Sequence, residues 1–216
     1  MEAIVFLIHG WTGTPERSLS GLQTILEMIP GIRVVKPLYM DVKGPCTKWR
    51  TRKSINFYAD VVEAEIEKLP TDVPIIGVGH SMGAIILRLL HNRGHNFNLP
   101  IFAAGPHKGV SPLVGKLVPV AQVMGVRPLL EMAPESQFLK SLGTPPPGIY
   151  IGGREDILVP LHSAIPVNNG VIVECGHSMF PNEFEKMASS AIPVVVEAVF
   201  KEVYKNDRDR RDSSQR

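Results

Sequence analysis

Short apolar runs recur along this chain, and most are followed by a turn signal and then by a helical pattern. The runs at 3–8, 32–38, 73–79, 99–104, 148–153 and 170–175 read as strands, and those at 18–28, 54–69, 82–93 and 181–203 as helices. Strands such as Ala3-Ile-Val-Phe-Leu-Ile8 are apolar throughout instead of alternating, which marks strands buried on both faces. Their alternation with helices predicts an α/β fold, a mostly parallel six-stranded sheet with helices on both faces. A length of 216 residues suits a single domain over 1–204. The remaining stretch, 205–216, is charged and lacks apolar residues, so it is expected to fray.

Chemistry-bearing residues gather where these strands end. Gly79-His80-Ser81-Met82-Gly83 follows a strand and opens a helix, a pattern that forces the serine into a sharp turn. The two glycines lack the Cβ atoms that would clash there. The serine Oγ then stands above the sheet at the positive end of the following helix. A hydroxyl needs a base to take its proton, and the base needs an acid to orient it. The strand at 148–153 runs into a loop carrying Glu155 and Asp156, and the strand at 170–175 runs into a loop carrying His177. Serine, acid and histidine thus follow in the chain order this elbow calls for, each past the carboxyl end of a strand. The first strand ends in His9-Gly10-Trp11-Thr12-Gly13, a loop able to aim the N–H of Trp11 at an oxyanion beside the N–H of Met82.

These residues resemble the α/β-hydrolase superfamily, in particular its lipase and esterase branch. The resemblance rests on His9-Gly10-Trp11, Gly79-His80-Ser81-Met82-Gly83, Ala104-Gly-Pro-His107-Lys-Gly109, Asp156 and His177, which span nearly the whole chain in the family's order. It implies a minimal hydrolase core that cleaves carboxylic esters through an acyl-enzyme, with Ser81 as nucleophile, His177 as base and Asp156 as orienting acid. Asp156 is preferred to Glu155 because Asp156-Ile-Leu-Val-Pro160 matches the family's pattern around its acid. The resemblance places the N–H groups of Trp11 and Met82 in the oxyanion hole. His80 is expected to point away from the serine, and His9 and His107 to fix loops. The same triad would serve a thioesterase or acyltransferase, and a non-catalytic scaffold is a third, weaker reading.

The stretch 110–142 falls where hydrolases insert caps. It reads either as a short lid or acyl wall, with Leu113, Leu117, Val123, Met124, Leu129 and Leu130 as substrate-binding residues, or as helices that cover the core. The resemblance implies a small-molecule ester or lipid as the partner. A net charge of +2 leaves the basic cluster Lys43, Lys48, Arg50, Arg52 and Lys53 around Trp49 as a solvated loop, with no nucleic-acid footprint. The two cysteines, Cys46 and Cys175, give no disulfide framework, and Cys175 reads as a small buried hydrophobe. No metal-ligand cluster is visible and no cofactor is expected. No leader pattern precedes the first strand and no apolar run reaches membrane-spanning length, so the expected location is cytoplasmic.

Overall fold

The computed structural model describes residues 3–11, 18–39 and 53–214. Six strands form one sheet in the order β2-β1-β3-β4-β5-β6. They are β1 (Ala3–Ile8), β2 (Ile32–Val35), β3 (Ile75–His80), β4 (Leu99–Ala103), β5 (Ile149–Gly153) and β6 (Val171–Val173), and every neighbouring pair is parallel. The chain steps from β1 outward to β2 and then returns to β3 on the other side of β1. That reversal opens a crevice between the carboxyl ends of β1 and β3, where open α/β sheets place their ligands.

The apolar runs become strands because both sides of the sheet are covered. Ile4, Val5, Phe6, Leu7 and Ile8 are all fully buried, and each contributes roughly 1.5–3 kcal/mol by leaving water. Alternate side chains serve two cores. Phe6 and Ile8 join Tyr58 and Val62 of α2 (Ile55–Ile66) and Ile85 and Ile86 of α3 (Met82–Asn92). Val5 and Leu7 join Leu22 and Leu26 of α1 (Ser20–Glu27), together with Val195 and Val199 of the last helix. The N-terminus of α2 is capped by Ser54, whose Oγ accepts from Phe57 N–H at 3.2 Å.

Between β4 and β5 the chain forms four short helices, α4 (Pro112–Gly115), α5 (Val118–Met124), α6 (Arg127–Glu131) and α7 (Gln137–Ser141). The stretch is pinned to its surroundings. Ser111 N–H donates to Leu158 O at 2.8 Å, Ile55 N–H to Glu131 Oε2 at 2.6 Å, and Asn92 Nδ2 to Leu142 O at 2.9 Å.

Proline accounts for where the observed elements depart from the sequence reading. The second strand stops at Val35 instead of 38, since Pro37 has no N–H for the ladder. The helix expected over 181–203 is a loop, the short helix α9 (Phe184–Met187), and then the long α10 (Ile192–Ser214), with α8 (Leu161–Ala164) lying before β6. Pro193 is tolerated only in the first turn of a helix, so α10 begins at Ile192, where Ser190 Oγ accepts the Ile192 N–H at 3.1 Å. Helix α10 runs on from its docked part, where Val195, Val199 and Val203 pack on the core, as far as Ser214. Among the described residues no helix is long and apolar enough to cross a membrane.

Helix α1 touches the loop after β6 through Gly21, where an added Cβ would lie 2.0 Å from Pro181 O. Gly21→Ala is expected to push that loop away and to destabilise the protein by about 1–3 kcal/mol, read as a Tm several degrees lower in a thermal melt.

Candidate active site

Ser81 links β3 to α3 in a conformation that side-chain-bearing residues rarely adopt, φ 55° and ψ −124°. Two close approaches enforce it. A Cβ on Gly79 would stand 2.5 Å from Gly83 O, and one on Gly83 would stand 2.2 Å from Ile8 O. The turn therefore presses directly against the end of β1, and Ser81 N–H is held by Ala103 O at 2.8 Å. Ser81 occupies the N-cap of α3 but its side chain makes no capping bond. Its Oγ bonds instead to His177, lying 2.9 Å from Nε2.

On its other edge His177 donates from Nδ1 to Asp156 Oδ2 at 2.8 Å. The Asp156 side chain is fully buried, and its Oδ1 accepts the N–H groups of Leu158 and Val159, each at 2.9 Å. Burial alone would raise the carboxyl pKa. The hydrogen bond and charge of His177, joined by the two backbone N–H donors, outweigh burial and hold it below its usual range. Glu155, the rival acid in the sequence, is exposed and makes no hydrogen bond or ion pair with His177; its backbone N–H donates to Cys175 O at 3.1 Å.

The loop after β1 passes over the serine. A Cβ on Gly10 would lie 3.0 Å from Ser81 Cβ and 3.4 Å from its Oγ, so Trp11, the next residue, stands at the rim of the site. Met82 is the first residue of α3, and its N–H is among the helix donors that have no partner inside the helix. His9 is buried and stacks on Tyr39 with ring centroids 4.1 Å apart, while the Tyr39 hydroxyl donates to His9 O. That stack fixes the loop that carries Gly10 and Trp11.

His80, expected to point away from the serine and to pack or hydrogen-bond near the elbow, anchors the loop that carries His177. It is buried and donates from Nε2 to the backbone oxygen of His177 at 2.8 Å. Burial, with the neighbouring His177, pushes its pKa down to about 3, so at neutral pH the ring is uncharged. The only signal in the sequence was its position beside Ser81. His107 is buried edge-on against Phe102 and Tyr150, and burial likewise brings it to about 3.

The six apolar residues expected to bind substrate do not meet at the serine. Leu113, Leu117 and Met124 are more than half exposed and Val123 is 90 % exposed, while Leu129 is buried and Leu130 packs on the core. Along α4 and α5 the chain turns Val114 and Ala121 inward, which leaves the apolar stripe at 113, 117, 120 and 124 facing out. A cavity of about 810 Å³ does open on Ser81 and His177, but its described walls come from other loops: Gly10 and Trp11, Ser18, Glu155, and 174–190. Cys175 lies in that wall, and burial together with nearby Asp156, Glu155 and Glu174 pushes its thiol up to about 11. Among the described residues no cluster of His, Cys, Asp and Glu could hold a metal ion. Of the basic cluster only Lys53 falls within the described residues, exposed and with its Nζ 4.9 Å from the centre of the Phe57 ring; Cys46 lies outside them.

The parallel sheet, the serine elbow after β3, and the acid and histidine after β5 and β6 make up the α/β-hydrolase fold, and solved structures agree. A metagenome-derived lipolytic enzyme, of the pair LipS and LipT, superimposes with a TM-score of 0.61 at 19% identity, covering 93% of this chain and 94% of its own. Est1E from Butyrivibrio proteoclasticus gives 0.58 at 16% identity over 94% and 89%. YbtT, a type II thioesterase of the yersiniabactin pathway, gives 0.58 at 17% over 90% and 92%. No protein-family model matches the sequence, and no curated protein is significantly similar to it.

Because the folded state lowers the Asp156 pKa, the carboxylate contributes stability above its unfolded pKa of about 3.9 and loses it as the pH falls through the folded value. Wild type should therefore be more stable than Asp156→Asn at pH 7 in urea denaturation, and the difference should shrink near pH 3.

Proposed function

We propose that this protein is a serine hydrolase that cleaves carboxylic esters by two-step acyl transfer. The observation that carries this reading is the unbroken hydrogen-bonded line Ser81–His177–Asp156, with Ser81 held at a positive φ on the end of a helix. In the first step His177 Nε2 takes the hydroxyl proton as Ser81 Oγ bonds to the ester carbonyl carbon. The backbone N–H groups of Trp11 and Met82 receive the oxyanion, each such donor being worth about 2.7–4 kcal/mol in related chemistry. The carbon–oxygen bond to the alcohol then breaks, and the imidazolium returns its proton to the departing oxygen. Water repeats the cycle, with His177 again as base, and releases the acid and free Ser81. Asp156, kept ionised, holds the ring with its Nδ1–H toward the carboxylate and stabilises the transient positive charge.

The described walls of the cavity are of mixed character, with Trp11, Phe180 and Pro181 set among polar side chains and no long apolar groove. A short acyl group suits them better than a long chain. The likeness to YbtT favours a second reading, in which the same steps act on a thioester and the leaving group is a thiolate.

Hydrolysis of p-nitrophenyl esters from acetyl to palmitoyl tests the proposal. Activity should be highest for short acyl chains and should fall by roughly 10³-fold or more in Ser81→Ala, which should keep the wild-type melting curve. Retention of the wild-type rate in that variant would remove Ser81 from the mechanism.

A further inference from the structure

Helices α4 and α5 act as one amphipathic segment. Hydrogen bonds of the helical kind carry across their junction, with Lys116 N–H donating to Pro112 O at 3.1 Å and Ala121 N–H to Leu117 O at 2.8 Å. Residues 113, 117, 120 and 124 therefore share a face, three or four positions apart. Val114 packs on the core and Ala121 is buried, so the opposite face is spent on folding. Leu113, Leu117, Val120 and Met124, with Val123 beside them, are each more than half exposed. Single exposed apolar side chains are ordinary, but five gathered on one anchored segment exceed what a monomeric surface usually leaves to water. The segment leaves the sheet past the carboxyl end of β4, the edge that carries Ser81. Ser111 N–H is tied there to Leu158 O, so the exposed Ile157 and Leu158 border the start of the stripe.

The charges around this stripe are of one sign. Between 108 and 130 the chain carries Lys108, Lys116 and Arg127 and no Asp or Glu, against a net charge of +2 for all 216 residues. All three are exposed, and among the described residues no carboxylate forms an ion pair with any of them. The next acids along the chain are committed elsewhere. Glu131, close enough to Arg127 to feel its charge, accepts Ile55 N–H at 2.6 Å, and Glu135 pairs with Lys140 at 3.0 Å.

A partner for this face offers apolar surface and negative charge together. Pairing the face with itself on a second copy would set the cations against their own kind. The stretch 108–130 also holds no Phe, Trp or Tyr, the side chains that commonly anchor protein interfaces, and it carries Lys, which those interfaces avoid. An anionic bilayer supplies both parts: aliphatic side chains enter its acyl boundary while Lys and Arg meet its headgroups. We propose that the exposed face of α4 and α5 docks on anionic lipid bilayers, Leu113, Leu117, Val120, Val123 and Met124 entering the boundary and Lys116 and Arg127 lying at the headgroups. Docking involves no hydrolytic step, so it stands or falls separately from the reading of Ser81.

Co-flotation of the full chain with lipid vesicles tests the inference. Wild type should bind phosphatidylcholine vesicles containing about 30 mol % phosphatidylserine roughly tenfold more tightly than phosphatidylcholine alone, and about 0.5 M sodium chloride should remove most of that preference. Leu117→Ser/Val123→Ser/Met124→Ser changes only exposed positions and should keep the wild-type melting curve, yet weaken binding to the anionic vesicles roughly tenfold. Lys116→Gln/Arg127→Gln should reduce the preference for phosphatidylserine several-fold. No vesicle binding by wild type, equal binding to both vesicle types, or binding that neither set of substitutions changes overturns the inference. So does concentration-dependent self-association that the serine substitutions abolish in protein that binds no vesicles, an outcome that assigns the face to a second copy.

Discussion

The close approach of the β3–α3 turn to the end of β1 is the constraint on which the rest of the site depends. Gly83 sits so near Ile8 O and His9 O that no side chain fits, and Gly79 is equally tight against the first turn of α3. With both glycines in place the chain can hold Ser81 at a φ of 55°, a conformation that costs of the order of 1–3 kcal/mol. The surrounding sheet over-determines that strain. Ser81 N–H is tied to β4 through Ala103 O, and Gly10 lies directly on the serine side chain. The same contact that strains the serine brings the loop after β1 within reach of it, so the proposed nucleophile and the proposed oxyanion donors are set by one packing event.

A second tier of anchoring acts on the histidine. Asp156 orients the ring from one edge, and His80 holds the backbone of the same residue from below. His80 is neutral at physiological pH because burial strips it of charge, so this anchor is a plain hydrogen bond that adds no competing positive charge beside His177. Nearby, Ser20 Oγ donates to Asn182 Oδ1 at 2.7 Å and ties the wall of the cavity to the first turn of α1. The site is thus framed by loops from β1, β3, β5 and β6, each fixed to a neighbouring element.

Much of this was legible in the sequence because the signals were local. The strands are short apolar runs, and Gly79-His80-Ser81-Met82-Gly83 carries its own turn geometry. The juxtaposition of Ser81, His177 and Asp156 followed from their order past successive strand ends. What was not legible depended on tertiary choice. The stripe at 113, 117, 120 and 124 shows that these residues share a helix face, but periodicity alone does not say that Val114 and Ala121 take the core side. The cavity escaped because its walls come from five separate stretches with no common spacing. The late start of the last helix could have been read from Pro193, which a helix over 181–203 would have carried in its interior.

Reaction of the folded protein with a fluorophosphonate probe, followed by peptide mass spectrometry, bears most directly on whether this strained serine is an activated nucleophile. A single adduct on the peptide containing Ser81, formed much more slowly in His177→Gln, is the expected result. Absence of labelling in protein shown to be folded, or labelling at another residue, would contradict it.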